Sequence, residues 1–407
     1  MSKLALFGGK PVRKTPFHSW PVYGLEEEQN LIKVLQKSSW GVGKRTGVIN
    51  EFEEKFAAYH DATSAVACTN CTQAIEIALS ASGVRAGDEV IVPAYTFIAT
   101  ASAPARIGAV PIFADINRDT LLIDPESVES LITPRTKAII PVHFSGHLAD
   151  VKTLRGIADK YGLALIEDAA QAHGARRDGF SPGFYGPATF SFQYSKNMTA
   201  GEGGIIISND SSFIEKCWEH IWHGRKKGGL WYQHFETTSN YRMTEWSAAV
   251  LLAQLERLPK QNRRRMDNAN YLADLLKKDG FILPAAVDEH VEVHSRHLFL
   301  MKLNKDVFSN IPKSRVVEAL AAEGLPIMPG YSFPVYKNPA FQDGNWGLKG
   351  LPHNYDYTKV NLPGVEAACL DTVWFIHNVL LGEKEDMDDI AAGIKKVGEN
   401  AKELEVA

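Results

Sequence analysis

Short apolar runs alternate with helix-patterned stretches through the first half of this chain. That alternation constrains the fold more than any other feature. Residues 89–93, 110–114, 138–142 and 163–166 are apolar runs of strand length, bounded by turn residues. Helical stretches such as 125–131 and 149–160 lie between them. The runs are apolar throughout, as expected of strands covered on both faces. The pattern predicts βαβ units, and so an α/β fold with a mostly parallel sheet between layers of helices. A further strand over 204–210 leads into a helix over 211–222.

The flanks read differently. Residues 1–25 carry Pro11, Pro16 and Pro21 and read as an irregular arm. An amphipathic helix follows, with Leu31, Val34 and Leu35 on one face, and a second helix covers 49–59. A helical region after Met243 carries Ala248, Ala249, Leu251, Leu252, Leu255 and Leu258, and Pro259 is expected to end it. The division predicted is an arm (1–25), a large α/β domain (26–258) and a smaller α+β domain (259–407). The last would hold helices over 263–278, 314–323 and 383–397 and a strand over 297–303. The stretch 326–346, rich in Pro, Gly and aromatic residues, reads as a long loop of the functional kind.

Composition limits the partners. The 407 residues carry a net charge of −4, with 45% hydrophobic and 23% charged residues. Nothing there favours a nucleic-acid or membrane partner. Arg263, Arg264 and Arg265 sit in a helical pattern and read as a solvated face. The opening residues are too short an apolar run for a signal peptide, and no run reaches the roughly 20 apolar residues of a membrane span, so a cytoplasmic protein is expected. Cys68 and Cys71 have C-x-x-C spacing, but no second ligand pair follows. With Cys217 and Cys369 they read as small buried residues, and no metal site is expected.

The chemistry gathers at the ends of the strands, where open α/β sheets bind ligands. Asp168 closes the run 163–168. Lys196 follows a strand over 189–193 and precedes a turn built on Gly201, Gly203 and Gly204. A lysine in such an apolar, glycine-rich setting has its charged form disfavoured, which suits Schiff-base chemistry. With an aspartate able to keep a pyridine nitrogen protonated, the two meet the needs of pyridoxal 5'-phosphate (PLP). Ser191 and Ser195 flank the lysine and can bind phosphate. The sequence from Thr69 to Leu79 supplies a helix start, where free N–H groups favour an anion. Phe97, after the strand ending at Pro93, offers a flat apolar face. Each has a plainer reading: Asp168 as a helix cap, Lys196 as a surface side chain, the helix start as an ordinary cap, Phe97 as core packing.

The order of motifs resembles the DegT/DnrJ/EryC1/StrS family of PLP-dependent sugar and cyclitol aminotransferases, of fold type I. The resemblance covers nearly the whole chain. It is carried by Gly8-Gly9, Trp20-Pro21, Pro93 to Phe97, Glu167 to Gly174, Phe190 to Gly204, and Asn240 to Glu245. It implies a seven-stranded type of sheet and an enzyme that transfers amino groups. By resemblance, Lys196 forms the Schiff base and carries the proton, Asp168 pairs with the pyridine nitrogen, Gln171 sits near the ring hydroxyl, and Phe97 stacks on the ring. Thr72 and Gln73 backbone groups and Ser191 would bind phosphate, with Asn240 reaching the phosphate of a second subunit in a homodimer. One departure is Cys71, where the family usually has glycine before the threonine. Relatives that act as sugar dehydratases carry histidine in place of the lysine, so Lys196 favours transamination.

The segment 330–341 and Gln193 look most like the members acting on inosose-type cyclitols and in aminohydroxybenzoate formation. His223, Arg225, Tyr331, Tyr336 and His377 are candidate substrate contacts, each with a packing, capping or solvated-face alternative. The expected reaction moves an amino group from L-glutamine or L-glutamate to a keto-cyclitol or keto-sugar. The alternatives are PLP-dependent dehydration and aromatisation of an amino-ketone, or a non-enzymatic PLP-binding regulator.

Overall fold

The computed structural model describes residues 3–37, 40, 47–348 and 355–405. Its centre is a sheet of two four-stranded parts. The runs Ala164–Leu165 and Glu167–Asp168 belong to one extended segment that pairs with Thr136–Ile139 and then with Ala188–Ser191. They join the two parts side by side. The order across the layer is 64–68, 204–208, 188–191, 164–168, 136–139, 89–93 and 110–114. Every pairing is parallel except those of Gly204–Ser208, which runs against both neighbours. Glu89–Pro93 and Gly204–Ser208 are buried at all five positions, the outcome expected of continuous apolar runs.

Helices cover the sheet and aim the loops at its carboxyl ends. From Val48–Tyr59, Phe52 and Phe56 press on the strand that leads to Lys196. Phe56 packs 5.0 Å from Phe190 and 5.4 Å from Phe192, both edge-on. This dry cluster fixes where the strand stops and the lysine turn starts.

The expected break at Pro259 does not occur. Glu245–Asp279 is one helix of 35 residues with Pro259 inside it, so the 258/259 division falls within a single element. A proline removes one backbone hydrogen bond. Here both sides of it are held by packing: Leu251, Leu252, Leu255 and Leu258 join the aromatic cluster, while Ala269, Leu272 and Leu276 join the core of the C-terminal part. In that part, Leu298–Leu303 pairs antiparallel with Thr372–Ile376 and Ile282–Pro284.

The arm is strapped to the C-terminal part. Leu4 is fully buried in its core. Arg13 Nη1 lies 2.6 Å from Asp386 Oδ1 and 2.8 Å from Asp389 Oδ2. The stretch 326–346 is not an open loop. It contains the short turns Val335–Lys337 and Pro339–Gln342, and Tyr336, Phe341 and Trp346 pack into the large core. In Leu25–Gln36 only Val34 of the expected apolar face is buried; Leu35 is exposed. Among the described residues no helix is long and apolar enough to cross a membrane.

Truncating Phe56 to alanine should leave a cavity beneath the lysine strand and lower stability by about 3–5 kcal/mol. Urea unfolding of the Phe56→Ala protein against the parent checks this.

Candidate active site

Asp168 ends its strand with its carboxylate buried. Oδ2 accepts from Thr100 Oγ1 at 2.8 Å, and Oδ1 accepts from the Ala170 N–H at 3.1 Å. Among the described residues no cation forms an ion pair with it. Burial pushes its carboxyl up from the usual range, against the two hydrogen bonds and the Lys196 charge. Behind it, His143 and Glu167 form a buried pair at 2.8 Å. The Ala149 N–H donates to His143 Nδ1 at 3.2 Å, so Nε2 carries the proton and donates to Glu167.

Lys196 lies in the turn after Ala188–Ser191 and is half-buried. Burial lowers the pKa of its amine, opposed by the charges of Asp168 and then Cys71. The three groups therefore share one electrostatic neighbourhood. The lysine amine has no hydrogen-bond partner or ion pair among the described residues.

The peptide around Lys196 is pinned on both sides. Trp20 Nε1 donates to the Tyr194 carbonyl at 2.7 Å. His377 Nε2 lies 3.0 Å from the Ser195 carbonyl, and its Nδ1 lies 3.2 Å from Arg265 Nη2. A guanidinium only donates, so Nδ1 is the acceptor and Nε2 carries the proton given to Ser195. On the other side, Asn197 Nδ2 donates to the Ser295 carbonyl at 2.6 Å, and His297 Nδ1 donates to Asn197 Oδ1 at 3.0 Å. Arg265 is itself fully buried beside Asn262, Oδ1 at 3.1 Å.

The expected anion cup has its own logic. Asn70 caps Cys71–Ala81, its Oδ1 accepting from the Gln73 N–H at 2.9 Å. Gln73's N–H is thus engaged by the cap, while the first-turn N–H groups of Cys71 and Thr72 have no intrahelical acceptor. Cys71 has a negative φ, so its Cβ costs no backbone strain. Gly204 is the position that needs glycine: a Cβ there would meet the Asn70 carbonyl carbon at 2.4 Å and the Cys71 nitrogen at 2.8 Å. The reversed strand can approach the helix start only for that reason. Ser191 is buried, its Oγ accepting from the Gln193 N–H at 3.4 Å.

The remaining candidates divide. Phe97 is 59% exposed, a bare ring at the strand ends rather than core packing. Gln171 is buried and its Oε1 accepts from the Ser145 N–H at 2.6 Å. Tyr331 packs 5.3 Å from both Tyr95 and Trp374, and the charge of Asp168 reaches its phenol. Two expected substrate contacts are corrected. Tyr336 is 1% exposed, with its hydroxyl donating to Glu366 Oε1 at 2.9 Å, so it is a packed core residue. His377 is also 1% exposed and positions the lysine turn. The Thr69 N–H donates to the Tyr241 carbonyl at 2.9 Å, so Asn240 lies close to the start of the cup helix, and with His223 and Arg225 it belongs to the excursion between Trp222 and Asn240. Its Leu230, Trp231 and Tyr232 are each more than three-quarters exposed, and Arg225 sits 5.6 Å over the Trp231 ring. Asn240 Oδ1 accepts from the Arg242 N–H at 3.4 Å.

Sequence reasoning gave no role to Thr100 and His297, which come from distant segments that the fold brings in. Trp20 and Asn197 carried a signal as parts of the family motifs, and Arg265, expected on a solvated face, is instead fully buried against His377 beside the lysine turn.

The crevice fits PLP. A lysine amine without a partner and a buried carboxylate without a cation face one neighbourhood, with a bare aromatic ring and a helix start at its edge. The comparisons agree. Residues 22–394 match the DegT/DnrJ/EryC1/StrS aminotransferase family. The chain is 36% identical over 414 residues to L-glutamine:2-deoxy-scyllo-inosose aminotransferase of Streptomyces paromomycinus, covering 97% of each. It is 38% identical over 380 residues to 3-amino-5-hydroxybenzoate synthase of Amycolatopsis mediterranei, covering 92% of this chain and 95% of that one. A crystal structure of 3-amino-5-hydroxybenzoic acid synthase superposes with a TM-score of 0.87 at 35% identity, over 95% of this chain and 100% of the other. A Streptococcus pneumoniae protein described as a sugar aminotransferase, solved in its PLP form, gives a TM-score of 0.83 at 26% identity, over 96% and 100%.

Two outcomes are expected. Burial makes the Lys196 amine lose its proton more readily, so the rate at which apoenzyme takes up PLP should rise with pH and level off below 10.5, the ordinary lysine value. Stopped-flow absorbance across pH checks this. Removing the Ser195 clamp with His377→Ala should lower kcat by up to about a hundredfold, as for a small misplacement of a reacting group, with His377→Gln recovering part of it.

Proposed function

Because the chain belongs to the DegT/DnrJ/EryC1/StrS aminotransferase family, and so is a PLP-dependent enzyme of the sugar and cyclitol type, we propose a specific reaction for it. It moves an amino group from L-glutamine or L-glutamate to a keto-cyclitol or keto-sugar. The observation that carries this reading is Lys196: its unpaired amine shares a crevice with the unpaired carboxylate of Asp168. The named activity of the inosose aminotransferase relative supports the donor and acceptor classes.

When bound, PLP supplies an aldehyde that can condense with an amine and an electron-accepting ring. The chain's own groups do the rest. Lys196 would hold the cofactor through its amine and would carry a proton to and from the substrate carbon. A depressed pKa suits it to both tasks. Asp168 would supply the negative charge that keeps the ring nitrogen protonated, and Thr100 and the Ala170 N–H hold that carboxylate oriented. Phe97 would cover one ring face, Gln171 would face the ring hydroxyl, and Thr72 and Ser191 would hold the phosphate. Gln73 contributes through the cap geometry, since its N–H already donates to Asn70. Tyr331, whose phenol feels the Asp168 charge, would line the substrate side.

We also propose that the enzyme works as a homodimer. Tyr23, Leu25 and Tyr194 are 82%, 68% and 63% exposed and line one apolar groove of about 760 Å³ beside the lysine turn. The exposed excursion that carries His223, Arg225 and Asn240 would then reach the site of the second copy, where Asn240 would bind phosphate and Arg225 a donor carboxylate.

A second reading is favoured by the match to 3-amino-5-hydroxybenzoate synthase: loss of water with formation of an aromatic ring. Product analysis separates the two, because transamination replaces only the ketone oxygen with an amine and keeps every ring hydroxyl, whereas the second route also loses a hydroxyl as water and leaves an aromatic ring.

In an assay with glutamine and a panel of keto-cyclitols, Lys196→Ala should lose both turnover and the visible absorbance of the lysine-bound cofactor. Asp168→Asn should keep the cofactor but lower kcat on the order of a hundredfold or more. A yellow, active Lys196→Ala protein would refute the reading.

A further inference from the structure

A groove of about 880 Å³ opens on the C-terminal part, lined by none of the candidate active-site residues. Its floor contains Arg296, 9% exposed. The Arg296 side chain has one long hydrogen bond, Nη2 to Asn270 Oδ1 at 3.4 Å, and its buried Nε has no partner. Among the described residues no carboxylate lies within 4.0 Å of it. Burying a cation without a counterion is costly, and proteins normally pair such a group.

Arg265 is also buried without a carboxylate, but it is enclosed by Asn262, His377 and the Trp20 ring, 5.7 Å away. Arg296 instead borders open space. The backbone holds it there at φ +52°, a left-handed conformation uncommon outside glycine. Such an outlier persists only where the surroundings impose it. Both neighbours impose it: the Ser295 N–H donates to the Gly146 carbonyl and the His297 N–H to the Ser145 carbonyl.

The groove carries a surplus of positive charge. Five cationic side chains and three carboxylates line it. Arg118 is paired with Asp371 at 2.8 Å, yet its buried Nη1 has no partner. Lys302 is 3.4 Å from Asp119. Lys277 and Lys305 are exposed at the rim and unpaired among the described residues, against Asp306 alone. Two guanidinium groups with free buried N–H donors, flanked by two ammonium groups, make a receptor for a planar or tetrahedral oxyanion. The volume suits a metabolite rather than a macromolecule.

We propose that this groove is a second ligand site, one that binds a small metabolite through a carboxylate or phosphate group seated on Arg296. The proposal does not rest on the reaction assigned to Lys196, although the neighbouring Ser295 and His297 hold Asn197 beside that lysine.

The test uses holoenzyme, in which the cofactor occupies its own phosphate cup. Inorganic phosphate and, separately, succinate are titrated by calorimetry at fixed ionic strength. At least one should bind saturably, at one site per chain. Arg296→Gln should weaken that binding by about tenfold or more, and Lys277→Glu should weaken it in the same direction. Binding of phosphate alone identifies a phosphorylated ligand, and binding of succinate alone a carboxylate; either supports the site. Should Arg296→Gln fail to fold, the exposed Lys277→Glu substitution carries the test. No saturable binding of either anion, or binding that neither substitution weakens, overturns the proposal.

Discussion

A half-buried amine and a buried carboxylate share one crevice here, and among the described residues neither forms an ion pair. Full solvation would relax both, and a salt bridge would neutralise both. Burial limits the first at Lys196 and Asp168, and the geometry forms no such bridge. Such a pair keeps its free energy available for a third group that can take the amine covalently at one end and a charge at the other. Burial sets the direction of both perturbations, and hydrogen bonds from Thr100 and Ala170 stop the carboxylate from turning toward the lysine.

Holding that arrangement takes groups from the whole chain. The lysine peptide is gripped by Trp20 from the arm, by His377 and Arg265 from the C-terminal part and the long helix, and by Ser295 and His297 through Asn197. The geometry fixes the tautomer of His377, because among the described residues the hydrogen-bonding group facing its Nδ1 is a guanidinium. A polar network of this kind positions a backbone more firmly than isolated contacts, since each member also orients the next.

How much of this the sequence revealed depended on distance along the chain. The parallel strands were legible because burial on both faces leaves continuous apolar runs, and the membership of Asp168 and Lys196 in one site followed from strand ends. The cap at Asn70 was half legible: the small polar residues marked a helix start but not that Gln73's N–H would be taken up by it. Pro259 misled, because a local rule met packing on either side that outweighed it. Tyr336 and His377 misled for a related reason. Polar aromatic residues near the substrate end suggested contacts, whereas Glu366 and the Ser195 carbonyl satisfied them internally. Thr100 and His297 were invisible because nothing local marks a residue whose partner lies far away in the chain, and Arg265 misled because a run of three arginines reads as solvated although its last member is buried.

The unbroken helix from Glu245 to Asp279 belongs to two hydrophobic cores at once. One core packs on its N-terminal half and the other on its C-terminal half, so losing either leaves one end of the rod unsupported. The two lobes are therefore coupled mechanically through a single element, and local opening of one should loosen the other.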